Sequence, residues 1–478
     1  MIKRFIKDGL IYTFVTLFSR GISFLLIPVY TRTFVPEEYG VIDMLTLLGI
    51  ILNLSVSLEI SQGIARYIPG IQNQVAKSKY LSSGLWFSII MYIATCSILF
   101  SFSGFGSSLL LNSSKWQQIF RVATVAIGVN GIFIYLNNAF RHQLKVKQSG
   151  IVGIIYAGLS FLLIILFIKY FKLGLTGIYL GITVSASVGI LISFLLGKNQ
   201  YKLYFSLVKV KRLLRFSLPL VPSSIGFFVA TYVDRLVIKE YMSMSDVGIY
   251  GIAVKFASII GLLISGFNSA LTPLIYKKHQ EKETPRQVGY LMSLYLFFSF
   301  LLISILSFFS KEILILVTTD SYYGASQYIG VLALSAVTTS AYMFLPGLGI
   351  AKKTKLIAAI NISIGVVNLI LNILTIPKYG LSGAVISTFT SSMLGFVLNI
   401  QLSNKYYPIQ IKKTKLFFFY LLGGASLLMA SFLEKNVEAL SFLIKSLAII
   451  LMTLVAFVII FTKEQRKMTF SRIYDIVY

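Results

Sequence analysis

Along its whole length this chain repeats one pattern: about 20 mostly apolar residues, then a short segment carrying Lys and Arg. An apolar run of that length is what an α-helix needs to cross the hydrocarbon core of a bilayer. Read this way, spans fall at 10–31, 40–61, 82–103, 117–138, 150–169, 174–196, 217–238, 247–268, 289–309, 326–347, 355–376, 380–402, 415–433 and 441–461. The fold class expected is therefore all-α, a polytopic membrane protein with 14 transmembrane helices. Only 12% of residues are charged and 56% are apolar, with a mean hydropathy of +0.83. An ordinary soluble domain carries about 25% charge, so a soluble enzyme is excluded. Segments of this length also exclude a strand-based pore.

The net charge of +27 would point a soluble protein toward nucleic acid. Here the cations sit between spans. If the N-terminus is cytoplasmic, about 30 of the 43 Lys and Arg fall on the inner side, which predicts that both termini face the cytoplasm and that no nucleic acid is bound. Residues 1–31 are too long for a secretory signal, contain Arg20 and lack a small-residue cleavage site, so they are read as a retained first span. Cys96, His142 and His279 are the only cysteine and histidines, too few for a disulfide framework or a Cys/His metal site. There is no Gly-x-x-x-x-Gly-Lys-Ser/Thr loop, no Gly-x-Ser-x-Gly elbow and no pair of carboxylates at mid-depth. Neither ATP hydrolysis nor an enzyme is expected, and no cofactor.

The sequence also repeats internally. Lys172-Leu-Gly-Leu-Thr-Gly177 aligns with Lys378-Tyr-Gly-Leu-Ser-Gly383, and Glu37-Glu38-Tyr39-Gly40 with Ser245-Asp246-Val247-Gly248, at nearly the same offset. Two parallel halves of six spans follow: an N-terminal lobe at 1–196, a basic cytoplasmic linker at 197–216, a C-terminal lobe at 217–404, and two extra spans with a tail at 405–478.

Polar residues recur at helical spacing in several spans. These are Thr13, Thr16, Ser19, Arg20 and Ser23 in the first, Asp43, Thr46, Asn53 and Ser57 in the second, Gly251, Lys255, Ser258, Ser265 and Ser269 in the eighth, and Asn361, Gly365, Asn368 and Asn372 in the eleventh. Such rows either line a wet cavity or join helices by hydrogen bonds. Arg20 lies roughly 15 Å deep, and Lys255 is also near the middle of its span. A cation there costs about 2.5–3.5 kcal/mol on insertion scales, so it should face water, a counter-charge or an anionic ligand. A cationic cavity would attract phosphate. Arg20, Lys255, Asn53 and Asn268 are the candidate substrate-binding residues. Arg32, Asp43, Asp234 and Arg235, with Glu37, Glu38, Glu240 and Asp246 nearby in sequence, cluster at expected outer helix ends. They form either a gate of ion pairs or a solvated rim. Pro28, Pro219, Pro222 and Pro273 fall in or beside the same helices, as bends or as first-turn prolines.

Thr33-Phe-Val-Pro-Glu-Glu-Tyr-Gly40, Val233-Asp-Arg-Leu-Val237, Asp246-Val-Gly-Ile-Tyr-Gly-Ile-Ala-Val-Lys255 and Ala270-Leu-Thr-Pro-Leu-Ile275 together resemble the Wzx-type polysaccharide and O-antigen flippases. These belong to the multidrug/oligosaccharidyl-lipid/polysaccharide (MOP) superfamily. The resemblance implies a cavity between two six-helix lobes, lined chiefly by spans 1, 2, 7 and 8. It implies a bacterial inner-membrane transporter for O-antigen or capsule synthesis that moves an undecaprenyl-diphosphate-linked glycan unit outward by alternating access. Membrane lipid, Na+ or H+ as coupling ion, and a polysaccharide polymerase are the partners it brings. Moving a phosphate charge outward across an inside-negative potential yields about 2.3 kcal/mol per charge per 100 mV. The rivals are a peptidoglycan lipid-precursor flippase and a multidrug or cation antiporter of the same superfamily. An antiporter would want a buried acid where this chain has cations.

Overall fold

The structure is a computed structural model describing residues 18, 21–198, 200–261, 264, 271, 275, 279–410, 412–436, 441–462, 465 and 466. Among these, every regular element is helical, and 12 helices are long and apolar enough to cross a membrane. They coincide with the second to seventh and the ninth to fourteenth expected spans. The first and eighth expected spans, 10–31 and 247–268, lie partly outside the described residues.

The chain divides into two compact units, Met1–Gly248 and Ile249–Tyr478. The first holds a helix over 21–33 (α1), Pro36–Ser55 (α2), Ile60–Tyr67 (α3), Gln74–Ser101 (α4), Ser103–Leu111 (α5), Gln117–His142 (α6), Val146–Ile165 (α7), Gly174–Leu196 (α8), Leu207–Ser217 (α9) and Val221–Tyr241 (α10), and the start of Met244–Ala257 (α11). The second holds Thr284–Phe308 (α12), Ser310–Val317 (α13), Ser326–Ser340 (α14), Thr354–Tyr379 (α15), Leu381–Asn404 (α16), Lys413–Asn436 (α17) and Ser441–Ile460 (α18). Many large apolar side chains on these helices are exposed, Leu428, Phe432, Leu443 and Leu454 among them, as lipid-facing surfaces require.

Two expectations need correction. The second span was expected to run unbroken over 40–61, but α2 ends at Ser55 and the chain passes through left-handed Leu58 (φ 48°) and Glu59 (φ 51°) before α3. Left-handed backbone costs a non-glycine residue roughly 1–2 kcal/mol. Hydrogen bonds hold the break: Ser217 Oγ donates to the Leu58 carbonyl at 2.8 Å, and Ser224 Oγ to Glu59 Oε1 at 2.7 Å. The basic linker, expected as a loop, contains α9. Val210, Leu213 and Ser217 are buried at helical spacing while Lys211, Arg212 and Arg215 stay exposed, a one-sided pattern that folds as a helix on a core. That core joins Ile60, Ile64, Leu81, Leu85, Leu136 and Leu213. Pro219 and Pro222 occupy first turns, where a missing N–H removes no helical bond.

The matching Gly-containing segments fold alike. Gly174 (φ 55°), the first residue of α8, and Gly380 (φ 58°), just before α16, both take a positive φ. Three residues on, Gly177 and Gly383 lie against the end of the preceding helix: a Cβ would sit 3.1 Å from the Phe167 carbonyl carbon in one and 2.5 Å from the Thr375 carbonyl oxygen in the other. Glycine is what permits each approach.

The polar row of the eleventh span joins helices. Asn368 and Asn372 on α15 are buried; Asn372 donates to Asn368, whose Nδ2 donates to Ser391 Oγ on α16 at 2.9 Å, and Thr375 Oγ1 lies 2.8 Å from Ser387 Oγ. Asn368→Ala should lower the unfolding free energy in detergent by about 1–2 kcal/mol through the partners it leaves unpaired; an unchanged denaturation midpoint would show the row to be dispensable.

Candidate functional site

The charges that sequence places together at the ends of the second and seventh spans do meet. From α10, Arg235 Nε donates to Asp43 Oδ2 on α2 at 2.6 Å, and Arg235 Nη1 lies 3.5 Å from Asp234 Oδ1. Asp234 Oδ1 also accepts the Arg235 backbone N–H at 2.9 Å. The side chains of Arg235 and Asp234 are 6% and 7% exposed and that of Asp43 is 20% exposed. The guanidinium carbon also lies 5.5 Å from the Tyr232 ring centroid, so an aromatic face shares the cation with the carboxylates. Charge taken this far from water persists because it is paired and hydrogen-bonded.

The backbone around the cluster is fixed. The Val35 N–H donates to Glu38 Oε2 at 3.2 Å ahead of α2, and Asp246 Oδ2 accepts from the Ser243 N–H at 3.1 Å ahead of α11. Glu38 and Asp246 thus cap helices. The two first turns touch without side chains between them: a Cβ on Gly40 would lie 2.1 Å from the Met244 carbonyl oxygen, and one on Gly248 2.0 Å from that of Pro36. These are the matched positions of the second repeated segment. Glu37 pairs with exposed Lys115 at 2.6 Å, and Arg32 stands exposed on α1.

One residue of this region escaped the sequence reading. Lys239, one turn past Arg235, is buried; its Nζ donates to the Leu109 carbonyl at 2.7 Å, while Asn112 Nδ2 donates to the Lys239 carbonyl at 2.8 Å. It ties α10 to the end of α5. Its i, i+4 relation to Arg235 was the available signal.

Of the candidate substrate-binding residues, Asn53 accepts from the Tyr92 hydroxyl at 2.6 Å and so links α2 to α4. Lys255 is half-buried in the last turn of α11, and Ser258 Oγ donates to its carbonyl at 2.6 Å. Arg20 and Asn268 lie outside the described residues. Among the described residues, no group of three His, Cys, Asp or Glu side chains could hold a metal ion.

A family model described as "Polysaccharide biosynthesis protein" matches residues 5–279, more than half of the sequence. The chain belongs to that family. A second model, MatE, matches residues 219–374. A protein of the Lsg locus of Haemophilus influenzae is 25% identical over 71% of this chain and 83% of its own length. The "Probable low-salt glycan biosynthesis flippase Agl15" of Haloferax volcanii is 24% identical over 84% of each chain. Among solved structures, the lipid II flippase MurJ in an inward closed conformation superposes with a TM-score of 0.71 at 18% identity, covering 94% of this chain and 98% of its own. The fold is thus shared with MurJ. The protein is a multi-pass membrane protein of the polysaccharide biosynthesis family.

Proposed function

We propose that this protein is a flippase that carries an undecaprenyl-diphosphate-linked oligosaccharide unit from the inner to the outer leaflet of a bacterial cell membrane, by alternating access between lobes built from spans 1–6 and 7–12. The observation that carries the reading is the match to the polysaccharide biosynthesis family over 5–279, the stretch that contains both Arg20 and Lys255. The diphosphate would meet these two cations, with Asn53 and Asn268 nearby for polar contact, while the sugars stay in water and the polyprenyl tail in lipid. The Asp43–Arg235–Asp234 cluster, with Arg32, would act as the gate, its ion pairs exchanging for water as the protein opens. With both termini cytoplasmic, outward movement of the negative head group is downhill in an inside-negative potential. Na+ or H+ coupling would add to that drive, and a polysaccharide polymerase would receive the product.

Complementation of a deletion strain tests this. The double substitution Arg20→Gln with Lys255→Gln should cut surface polysaccharide by about tenfold or more and leave lipid-linked units accumulating inside, since the anionic head group loses both of its mid-depth cations. Export at the parental level would end the cation-site reading. The shared fold with MurJ makes the peptidoglycan-precursor flippase the sharpest rival. Rescue of a strain depleted of its own lipid II flippase would favour it; increased drug resistance without glycan export would favour the antiporter.

A further inference from the structure

We propose that a pocket between α3, the start of α4 and α9 binds the phosphoryl head group of a membrane lipid. It has a volume of about 380 Å³ and is bounded by Arg66, Tyr67, Gly70, Ala76, Tyr80 and Arg212. Arg212 Nη1 donates to the Tyr80 hydroxyl at 3.0 Å, and its guanidinium carbon lies 5.2 Å from the Tyr67 ring centroid. Lys209 Nζ is 5.1 Å from the Tyr80 ring and the Arg66 guanidinium 6.0 Å from the Phe216 ring. Rings and a hydroxyl therefore position these cations. No carboxylate pairs with Arg66, Lys209 or Arg212 among the described residues. Two guanidinium groups pre-set around a concave space, without an internal anion, suit bidentate binding of phosphoryl oxygens.

Two further observations point the same way. Ala76 belongs to the first turn of the 28-residue α4, whose positive end adds to the field at the pocket. Lys145, which feels the charge of Lys77 next to Ala76, is pushed below the ordinary lysine range, by burial first and then by Lys77. The chain beside the pocket identifies the ligand as lipid-borne: Leu203, Phe205, Leu207 and Val208 are exposed, Leu203 at 92% and Val208 at 78%. Apolar side chains outward on a basic amphipathic segment belong to a membrane interface.

This inference does not rest on the cargo reading; an anionic phospholipid and an isoprenoid diphosphate offer the same head-group chemistry, and the test separates them. The test uses the full-length protein in phosphatidylcholine nanodiscs containing either phosphatidylglycerol or undecaprenyl diphosphate, with retained lipid read by native mass spectrometry. Arg66→Gln with Arg212→Gln should lower retention about tenfold, and Arg66→Lys with Arg212→Lys should lose only about threefold, because charge survives without the bidentate fork. Loss with both lipids assigns the pocket to bulk head groups; loss with undecaprenyl diphosphate alone assigns it to the isoprenoid carrier. Both outcomes support the site, and unchanged retention of both lipids in the Gln pair overturns it. Photo-crosslinking of head-group-labelled lipid to the unaltered protein guards against misfolding: labels on residues 66–80 or 209–216 support the proposal, and labels only elsewhere refute it.

Discussion

Arg235→Ala should cost about 3–5 kcal/mol of unfolding free energy, because it strands carboxylates away from water after removing their cation. Asp234 keeps the Arg235 backbone N–H, but Asp43 loses the 2.6 Å bond from Nε. Asp43→Asn should cost less, since an amide oxygen still accepts and Asp234 still neutralises the guanidinium. Reversible denaturation of the purified protein, in micelles or bicelles, separates the two. A loss of about 1 kcal/mol or less for Arg235→Ala would mean that the cluster is screened as a surface pair is. The same variants bear on the gate: a switching role predicts that Asp43→Asn changes the transport rate more than it changes stability, and a structural tie predicts the reverse.

Gly248→Ala and Gly40→Ala should each destabilise by about 1–3 kcal/mol or more, the range for forcing atoms into filled space. The added carbon would meet a backbone carbonyl oxygen at 2.0 Å in the first case and 2.1 Å in the second, and a backbone cannot rotate aside as a side chain does. Both changes separate the same two first turns. The double variant should therefore cost less than the sum. Gly158→Ala is the control: on α7, with nothing within 4 Å of the added carbon, it should stabilise by about 0.5–1 kcal/mol through helix propensity. Equal melting temperatures for the three variants would dismiss the crossing as a constraint.

Hydropathy made most of the fold legible, because a bilayer forces each segment to be long, apolar and helical. It was silent on the break at Leu58 and Glu59, where no glycine or proline marks the stop and the strain is borne by Ser217 and Ser224, far along the chain. It also passed over α9, whose Lys and Arg read as topology signals before they read as one face of a helix. Asp43 and Arg235, 192 residues apart, stood in one charged group that left ion pairs and a solvated rim both open, and the geometry pairs them. Asn53 was harder: its partner Tyr92 counts as apolar in a span, and only coordinates bring that hydroxyl to the amide. The row Asn368–Asn372 carried two readings in sequence, and the geometry chose the joint between helices. Arg66 and Arg212 are two among many basic residues between spans, and nothing in spacing alone links one on α3 to one on α9.

Where α2 stops and α3 begins, the ordinary ladder of backbone bonds is interrupted, and hydrocarbon offers nothing to replace it. Turn bonds from the Leu58, Ile60 and Gln62 N–H groups and the Ser217 hydroxyl meet part of the deficit. The oil of the bilayer therefore cannot lie against this stretch of main chain; protein or water must.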